Sequence, residues 1–67
     1  MEIIDARGLS CPEPVMLTME ALKKTDSGIK VLVSSANARD NIVRQCERKG
    51  KNISVFEIDS NYEIIIK

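Results

Sequence analysis

The chain of 67 residues contains no histidine and no tryptophan, and it has one phenylalanine and one tyrosine. Cys–His and Ser–His catalysis both need an imidazole base, so these mechanisms are excluded. With two cysteines and no histidine, the chain has too few soft ligands for a zinc site held by the protein alone. We therefore expect no metal and no other cofactor, and we expect a core built from aliphatic side chains.

Neither sign of charge is in excess, since ten basic residues balance ten acidic ones. Proteins that bind nucleic acid regardless of its sequence usually carry a basic excess, so direct binding to nucleic acid is not expected. The charge is nevertheless uneven, because residues 23–51 hold eight basic residues against three acidic ones. This basic middle segment suits either an acidic protein partner or, as we expect, a helix face in contact with water.

Signals for export or membrane insertion are also missing. The N-terminus lacks a basic segment followed by an apolar stretch, and no apolar run approaches the length that spans a membrane. Two cysteines 35 residues apart then predict a reducing, cytoplasmic location rather than a disulfide-stabilised secreted protein. The length fits a single domain over residues 1–67, which could belong to a longer protein because the chain ends on a predicted strand.

The pattern of apolar residues predicts four strands and two helices. We expect strands over residues 2–6, 29–35, 52–58 and 62–67, and helices over residues 12–25 and 37–49. Apolar residues at helical spacing predict the core side of each helix: Val15, Met19 and Leu22 in the first, and Ile42, Val43 and Cys46, with Ala38 at the margin, in the second. Ser34, Ser35 and Asn37 compete to cap the second helix, and the sequence does not choose between them.

This order of elements predicts an α/β (α+β) fold. It is a two-layer sandwich of β-α-β-α-β-β order, in which a mixed four-stranded sheet carries two helices on one face. If the first two strands are parallel, the N-termini of both helices lie at the same edge of the sheet. Arg39, near the start of the second helix, would then lie close to Cys11. We predict that its guanidinium adds positive potential at the thiol, within about one Debye length, ~8 Å, of the sulfur.

The segment from Asp5 to Pro14 reads Asp-Ala-Arg-Gly-Leu-Ser-Cys-Pro-Glu-Pro and joins the first strand to the first helix. Gly8 supplies the permissive backbone for the bend, and Pro12 and Pro14 are tolerated in a first helical turn, where N–H groups have no intrahelical partner. A thiol at Cys11 would meet the positive end of the helix dipole, which favours the thiolate. We expect Cys11 to be the reactive residue.

A single activated thiolate can act as a hydrolytic nucleophile, a redox centre, a metal ligand or a carrier of a transferred group. Hydrolysis lacks a base, and disulfide exchange lacks a resolving cysteine, because the motif is Cys-Pro-Glu-Pro rather than Cys-x-x-Cys. A carrier needs only one accessible thiol of low pKa, and the absence of a neighbouring thiol protects its cargo. A group carrier therefore fits the motif best.

The second cysteine, Cys46, lies on the apolar face of the second predicted helix. We expect it to be buried and unreactive, as most free cysteines are. The rival interpretation is a Cys11–Cys46 disulfide, which requires the two Cα atoms to lie within about 7 Å of each other. A cysteine in the core is not expected to meet a cysteine at the sheet edge.

The pattern D-A-x-G-L-x-C-P-x-P followed by a helix resembles the signature of the TusA/SirA-like sulfur-carrier family. The resemblance extends over nearly the whole chain through its length and its β-α-β-α-β-β order, and the family's fold is a similar two-layer sandwich. Residues 37–50 look more like the N-terminal domain of YedF-type proteins, which are associated with selenium metabolism. The family assignment is therefore more specific than the assignment to a pathway.

The resemblance implies a function for the motif. Family members receive sulfane sulfur from a cysteine desulfurase or a rhodanese-like donor, as a persulfide on the motif cysteine, here Cys11. They pass it to an acceptor protein, in some cases towards thiolation of tRNA. Gly8, Pro12 and Pro14 would support the motif structurally. The chain would then be a sulfurtransferase-type carrier rather than a stand-alone enzyme.

An alternative function from another class remains open at this point. The chain could be a binding module without catalytic activity that presents its basic second helix to RNA or to a protein. Its contact residues would be Arg44, Arg48, Lys49 and Lys51, and Cys11 would have no role. Steep salt dependence of binding would support this alternative.

Overall fold

A computed structural model of the chain describes residues 1–10 and 12–67. The elements follow the predicted order, and each boundary lies within two residues of its predicted position. The strands are β1 (Glu2–Asp5), β2 (Ile29–Val33), β3 (Ile53–Ile58) and β4 (Asn61–Ile66), and the helices are α1 (Glu13–Lys24) and α2 (Ala36–Arg48). No helix of the described residues is long and apolar enough to cross a membrane.

The four strands form one mixed sheet in the order β1-β2-β4-β3. β1 runs parallel to β2, whereas β4 is antiparallel to both β2 and β3. A two-residue turn, Asp59-Ser60, joins β3 to β4, and both residues have positive φ, at 50° and 71°. Such a pair of positive φ angles matches the twist of two antiparallel strands, so the predicted C-terminal hairpin is confirmed.

The core lies between the helices and one face of the sheet. Residues that alternate along β2 and β4 are fully buried, and they pack against buried residues of α2. The buried residues of these three elements are Ile29, Val31, Val33, Ile64, Ile66, Ala38, Ile42 and Cys46. The predicted two-layer sandwich with both helices on one face is therefore confirmed.

The most buried line of α1 differs from the predicted one. Pro14, Thr18 and Ala21 are buried, whereas the predicted stripe of Val15, Met19 and Leu22 is only partly buried beside them. The hydroxyl of Thr18 donates to the Pro14 carbonyl at 2.8 Å, so its polar group is satisfied inside the core. A pattern of large apolar residues could not find this line, because it consists of a proline, a hydroxyl residue and an alanine.

Candidate functional site

The segment that precedes Cys11 is tied to the end of β2. The Ala6 N–H donates to the Leu32 carbonyl at 2.8 Å, which continues the pairing of β1 with β2 beyond Asp5. Two residues further on, the Gly8 N–H donates to the Ser34 hydroxyl at 2.9 Å. These two bonds hold the chain against the sheet edge until three residues before Cys11.

Gly8 has a φ of +79°, in the left-handed region that favours glycine. A Cβ atom at this position would meet no heavy atom of the described residues within 4 Å. The backbone conformation rather than lack of space is therefore the reason for a glycine here. Its predicted role as a turn residue has a physical basis in this angle.

Asp5 and Arg7 form a two-pronged ion pair that the sequence interpretation missed. The guanidinium donates from Nε to Oδ1 at 2.9 Å and from Nη2 to Oδ2 at 2.8 Å, and the Arg7 backbone N–H also donates to Oδ1 at 3.2 Å. These bonds lower the pKa of the Asp5 carboxyl to about 2. The sequence did carry a signal for this ion pair, because an acidic and a basic residue lie two positions apart at the end of the first strand. Because each group neutralises the other, Arg7 is not a free cation beside the motif.

The segment that follows Cys11 begins α1. The Glu13 N–H donates to the Ser10 carbonyl at 3.0 Å, so this bond spans the motif cysteine in the sequence. Pro12 precedes the helix as its N-cap, and Pro14 is buried in the first turn. The predicted helix start is confirmed at Glu13. Cys11 itself lies outside the described residues, so its role stays a prediction.

Exposed apolar residues occur on both sides of the motif. Leu9 precedes Cys11 by two residues, and Met16 and Leu17 lie on the outer side of α1. Met16 is 62% exposed, more than any other large apolar residue that the structure describes. Met16 therefore presents an exposed apolar side chain five residues after the motif cysteine.

Arg39 lies on the first turn of α2, which Ser35 caps by accepting the Ala38 N–H at 3.1 Å. The Arg39 guanidinium donates to the Asp40 carboxylate at 2.9 Å and lies 4.6 Å from the centre of the Tyr62 ring. The bond to Asp40 is the main reason that the pKa of Arg39 is raised. The negative charge of Asp40 also reduces the positive potential that Arg39 produces at a distance. The predicted proximity of Arg39 to the Cys11 thiol involves a residue outside the described part and stays a prediction.

Cys46 is a free thiol and is fully buried on the inner side of α2, as predicted. Burial raises the pKa of the Cys46 thiol, because the thiolate would lose its hydration. The thiol is therefore protonated near neutral pH and shielded from reagents. The rival interpretation, a disulfide with Cys11, is not supported, because Cys46 is unbonded.

The structure also places the residues of the alternative binding surface. Arg44, Arg48 and Lys49 are exposed, and Lys51 is partly buried after the helix. Arg44 donates to the Asn41 side chain at 3.1 Å. Among residues 1–10 and 12–67, no group of three or more acidic or cysteine side chains is arranged to hold a metal ion.

Comparison with known proteins assigns the class that this fold and motif define. The chain matches a protein-family model, described as sulfurtransferase TusA, over residues 2–67, a range that includes the Cys-Pro-Glu-Pro segment. The chain therefore belongs to the TusA family.

Individual relatives agree with this family. The chain is 34% identical to the sulfur carrier protein TusA of Pseudomonas putida strain F1 over 53 residues, which cover 76% of this chain and 66% of the relative. The TusA protein of strain GB-1 is 32% identical over the same length. The crystal structure of a SirA-like protein from Desulfitobacterium hafniense superposes with a TM-score of 0.92 at 31% identity, and the match covers 98% of this chain and 95% of that one. The comparisons give no support to a nucleic-acid-binding module built on α2.

Proposed function

We propose that this chain is a sulfur carrier that accepts sulfane sulfur as a persulfide on Cys11 and passes it to a partner protein. The observation that carries the proposal is the family match over residues 2–67, which includes the Cys-Pro-Glu-Pro segment. The relatives from Pseudomonas putida are sulfur carrier proteins, and the chain spans 66% of their length.

The proposed reaction exchanges one sulfur–sulfur bond for another. The Cys11 thiolate attacks the terminal sulfur of a persulfide on the donor protein, and a new bond forms between the Cys11 sulfur and the transferred sulfur. The sulfur–sulfur bond of the donor breaks, and the donor cysteine leaves as a thiolate with the electron pair. The proton of the donor persulfide remains with the transferred sulfur, so the step needs no oxidant or reductant. An acceptor thiolate then repeats the attack on the new persulfide.

The start of α1 supports a reactive thiolate at Cys11. Backbone N–H groups and the helix dipole at Glu13 favour negative charge near this end of the helix. Pro12 and Pro14 set the backbone of the turn, and Gly8 redirects the chain after β1. Arg39 is proposed to add positive potential, reduced by its bond to Asp40.

Burial of Cys46 supports a carrier rather than a redox enzyme. A second accessible thiol on the same chain could attack the Cys11 persulfide, close a disulfide and release the cargo as sulfide. Cys46 has no exposed surface and a raised pKa, so it is a poor nucleophile for this side reaction. The persulfide can then persist until an acceptor protein arrives.

A carrier needs a donor and an acceptor, and we propose that both are proteins. A cysteine desulfurase or a rhodanese-like protein would supply the sulfur in the cytoplasm. Met16 and Leu17 are exposed on the outer side of α1, five and six residues after Cys11, and offer apolar contact to either partner.

Intact-protein mass spectrometry tests the proposal after incubation with a cysteine desulfurase and cysteine. The wild-type chain and the variant Cys46→Ala are expected to gain the mass of one sulfur, about 32 Da, whereas Cys11→Ser is expected to gain none. Alanine is the better control at position 46, because a serine hydroxyl would be buried there. If neither a desulfurase nor a rhodanese-type donor loads the wild-type chain, or if Cys11→Ser is loaded equally, the proposal is wrong.

A further inference from the structure

The helices cover one face of the sheet, and the opposite face is open. Its apolar residues alternate with the buried residues along β2 and β4, and the pairing register places residues of β1 and β3 on the same side. They are Ile3 on β1, Leu32 on β2, Ile65 on β4, and Phe56 and Ile58 on β3. We call the surface formed by these five residues the open face.

The open face exposes large apolar side chains at both of its edges. Ile3 is 61% exposed, Phe56 is 49% exposed and Ile58 is 47% exposed. Leu32 and Ile65 fill the space between them and are half-buried by their neighbours. A cavity of about 160 Å³ opens at the hairpin end, with Leu32 and Ile58 in its lining. Exposed apolar residues grouped on one face in this way are typical of an interaction site.

The charged side chains of this face are paired with each other. Lys30 lies 3.6 Å from the carboxylate of Glu63 near the centre of the face. Asp5, at its edge, is held by both prongs of Arg7. Two acidic and two basic groups therefore cancel. Nucleic acid or a strongly charged protein would find no excess charge here, whereas a neutral apolar surface would fit.

We propose that the open face packs against the open face of a second copy of this chain. A two-fold axis brings the same surface of each copy together, so the surface must be complementary to itself. A neutral face with apolar residues on all four strands meets this condition. Two sheets packed about 10 Å apart would place Phe56 and Leu32 of each copy inside the interface and leave the helices outside.

The size of the face sets the expected affinity. Four strands about 4.8 Å apart and up to six residues long, at about 3.3 Å each, span roughly 19 by 20 Å. Side chains make the accessible area larger than this projection, so two such faces bury about 1,000 Å² in total. That area is at the lower limit for specific interfaces, and it predicts a weak dimer that forms at high protein concentration.

Sedimentation equilibrium tests this dimer on the full chain at protein concentrations from about 10 µM to about 1 mM. The mass of the wild-type chain is expected to rise from 7.5 kDa towards twice that value. Phe56→Asp is expected to weaken the dimer at least about tenfold, because it buries an unpaired carboxylate. Val55→Asp is the matched control, since Val55 lies on the same strand with 41% exposure but faces the other side of the sheet.

Several results would overturn the proposal. A wild-type chain that stays monomeric at the highest concentration would leave the face to a different protein. Equal loss of the dimer in Phe56→Asp and Val55→Asp would indicate pairing through the edge of β3 instead. If circular dichroism shows that Phe56→Asp does not fold, Ile3→Asp at the opposite edge of the same face replaces it. A dimer that survives Ile3→Asp unchanged would then contradict face-to-face packing.

Discussion

Replacing Ser34 by alanine removes the hydroxyl that accepts the Gly8 N–H at 2.9 Å. This bond joins residues 26 positions apart and links a side chain at the end of β2 to the segment that leads to Cys11. The neighbouring backbone bond from Ala6 to Leu32 would remain, because no side chain takes part in it. The substitution therefore loosens a defined part of the chain and leaves the sheet pairing intact.

The expected magnitude follows from the exposure of the bond. A hydrogen bond within a protein contributes about 0.5–1.5 kcal/mol net, and water can replace the partner of an exposed one. We expect Ser34→Ala to lower the free energy of unfolding by about 0.5 kcal/mol. Locally, the Gly8 amide loses its acceptor, so its hydrogen exchange should be faster by roughly two- to tenfold.

Ser35→Ala is the matched control, because it deletes a hydroxyl from the next residue. Ser35 caps α2 through the Ala38 N–H, and loss of such a cap costs about 1 kcal/mol. This variant should lose more global stability than Ser34→Ala while it leaves the exchange of Gly8 unchanged. The pair of variants therefore separates loosening near the motif from general destabilisation.

Amide exchange followed by NMR and urea denaturation supply the two readouts, and the rate of Cys11 alkylation supplies a third. Loosening of the motif segment should change the alkylation rate in Ser34→Ala more than in Ser35→Ala. If Gly8 exchange rises equally in both variants after correction for global stability, the Ser34 bond does not hold this segment.

Three further predictions address the ion pair, the hairpin and the buried thiol. The Asp5 carboxyl should titrate near pH 2 by NMR, and its pKa should return towards the ordinary value of 3.8 in Arg7→Gln. Because the pKa is lowered in the folded state, the ion pair should stabilise the fold above about pH 4, and this contribution should be lost as the pH falls towards 2. An Asp5 carboxyl that titrates at its ordinary pKa in the wild-type chain would contradict the ion pair. Ser60→Gly should raise the free energy of unfolding by up to about 1 kcal/mol, because glycine adopts the φ of +71° without strain, whereas Ser54→Gly within β3 should lower it. The Cys46 thiol should react with a thiol reagent only as fast as the chain unfolds, and faster labelling in the folded state would refute its burial.

The order of strands and helices was predictable because the spacing of apolar residues and the turn residues determine the secondary structure of their immediate neighbours. β2 alternates strictly between Ile29 and Val33, and Gly50 follows α2 with a φ of +73° after the expected end of the helix. Burial of Cys46 followed from the same periodicity. These features depend on neighbours a few positions away, which is the range over which a sequence pattern carries information.

Other features depend on contacts that no local pattern encodes. The two adjacent serines are chemically identical, yet Ser35 caps α2 and Ser34 accepts the Gly8 N–H. Which serine takes which role depends on the path of the segment after β1, which brings the Gly8 N–H to the Ser34 hydroxyl. Thr18 can be buried because its hydroxyl donates a hydrogen bond to the Pro14 carbonyl. Likewise, alternation along β3 does not reveal that both of its faces stay largely exposed at the sheet edge.

Transfer of sulfur by Cys11 from a donor to an acceptor can be followed in a single-turnover chase. The chain is loaded, separated from its donor and mixed with an acceptor that bears one thiol, and the masses of both are followed. We expect the chain to lose about 32 Da while the acceptor gains the same mass, at equal rates in wild type and Cys46→Ala. Loss of the cargo as free sulfide before the acceptor is added, or its retention on the chain afterwards, would contradict a carrier function.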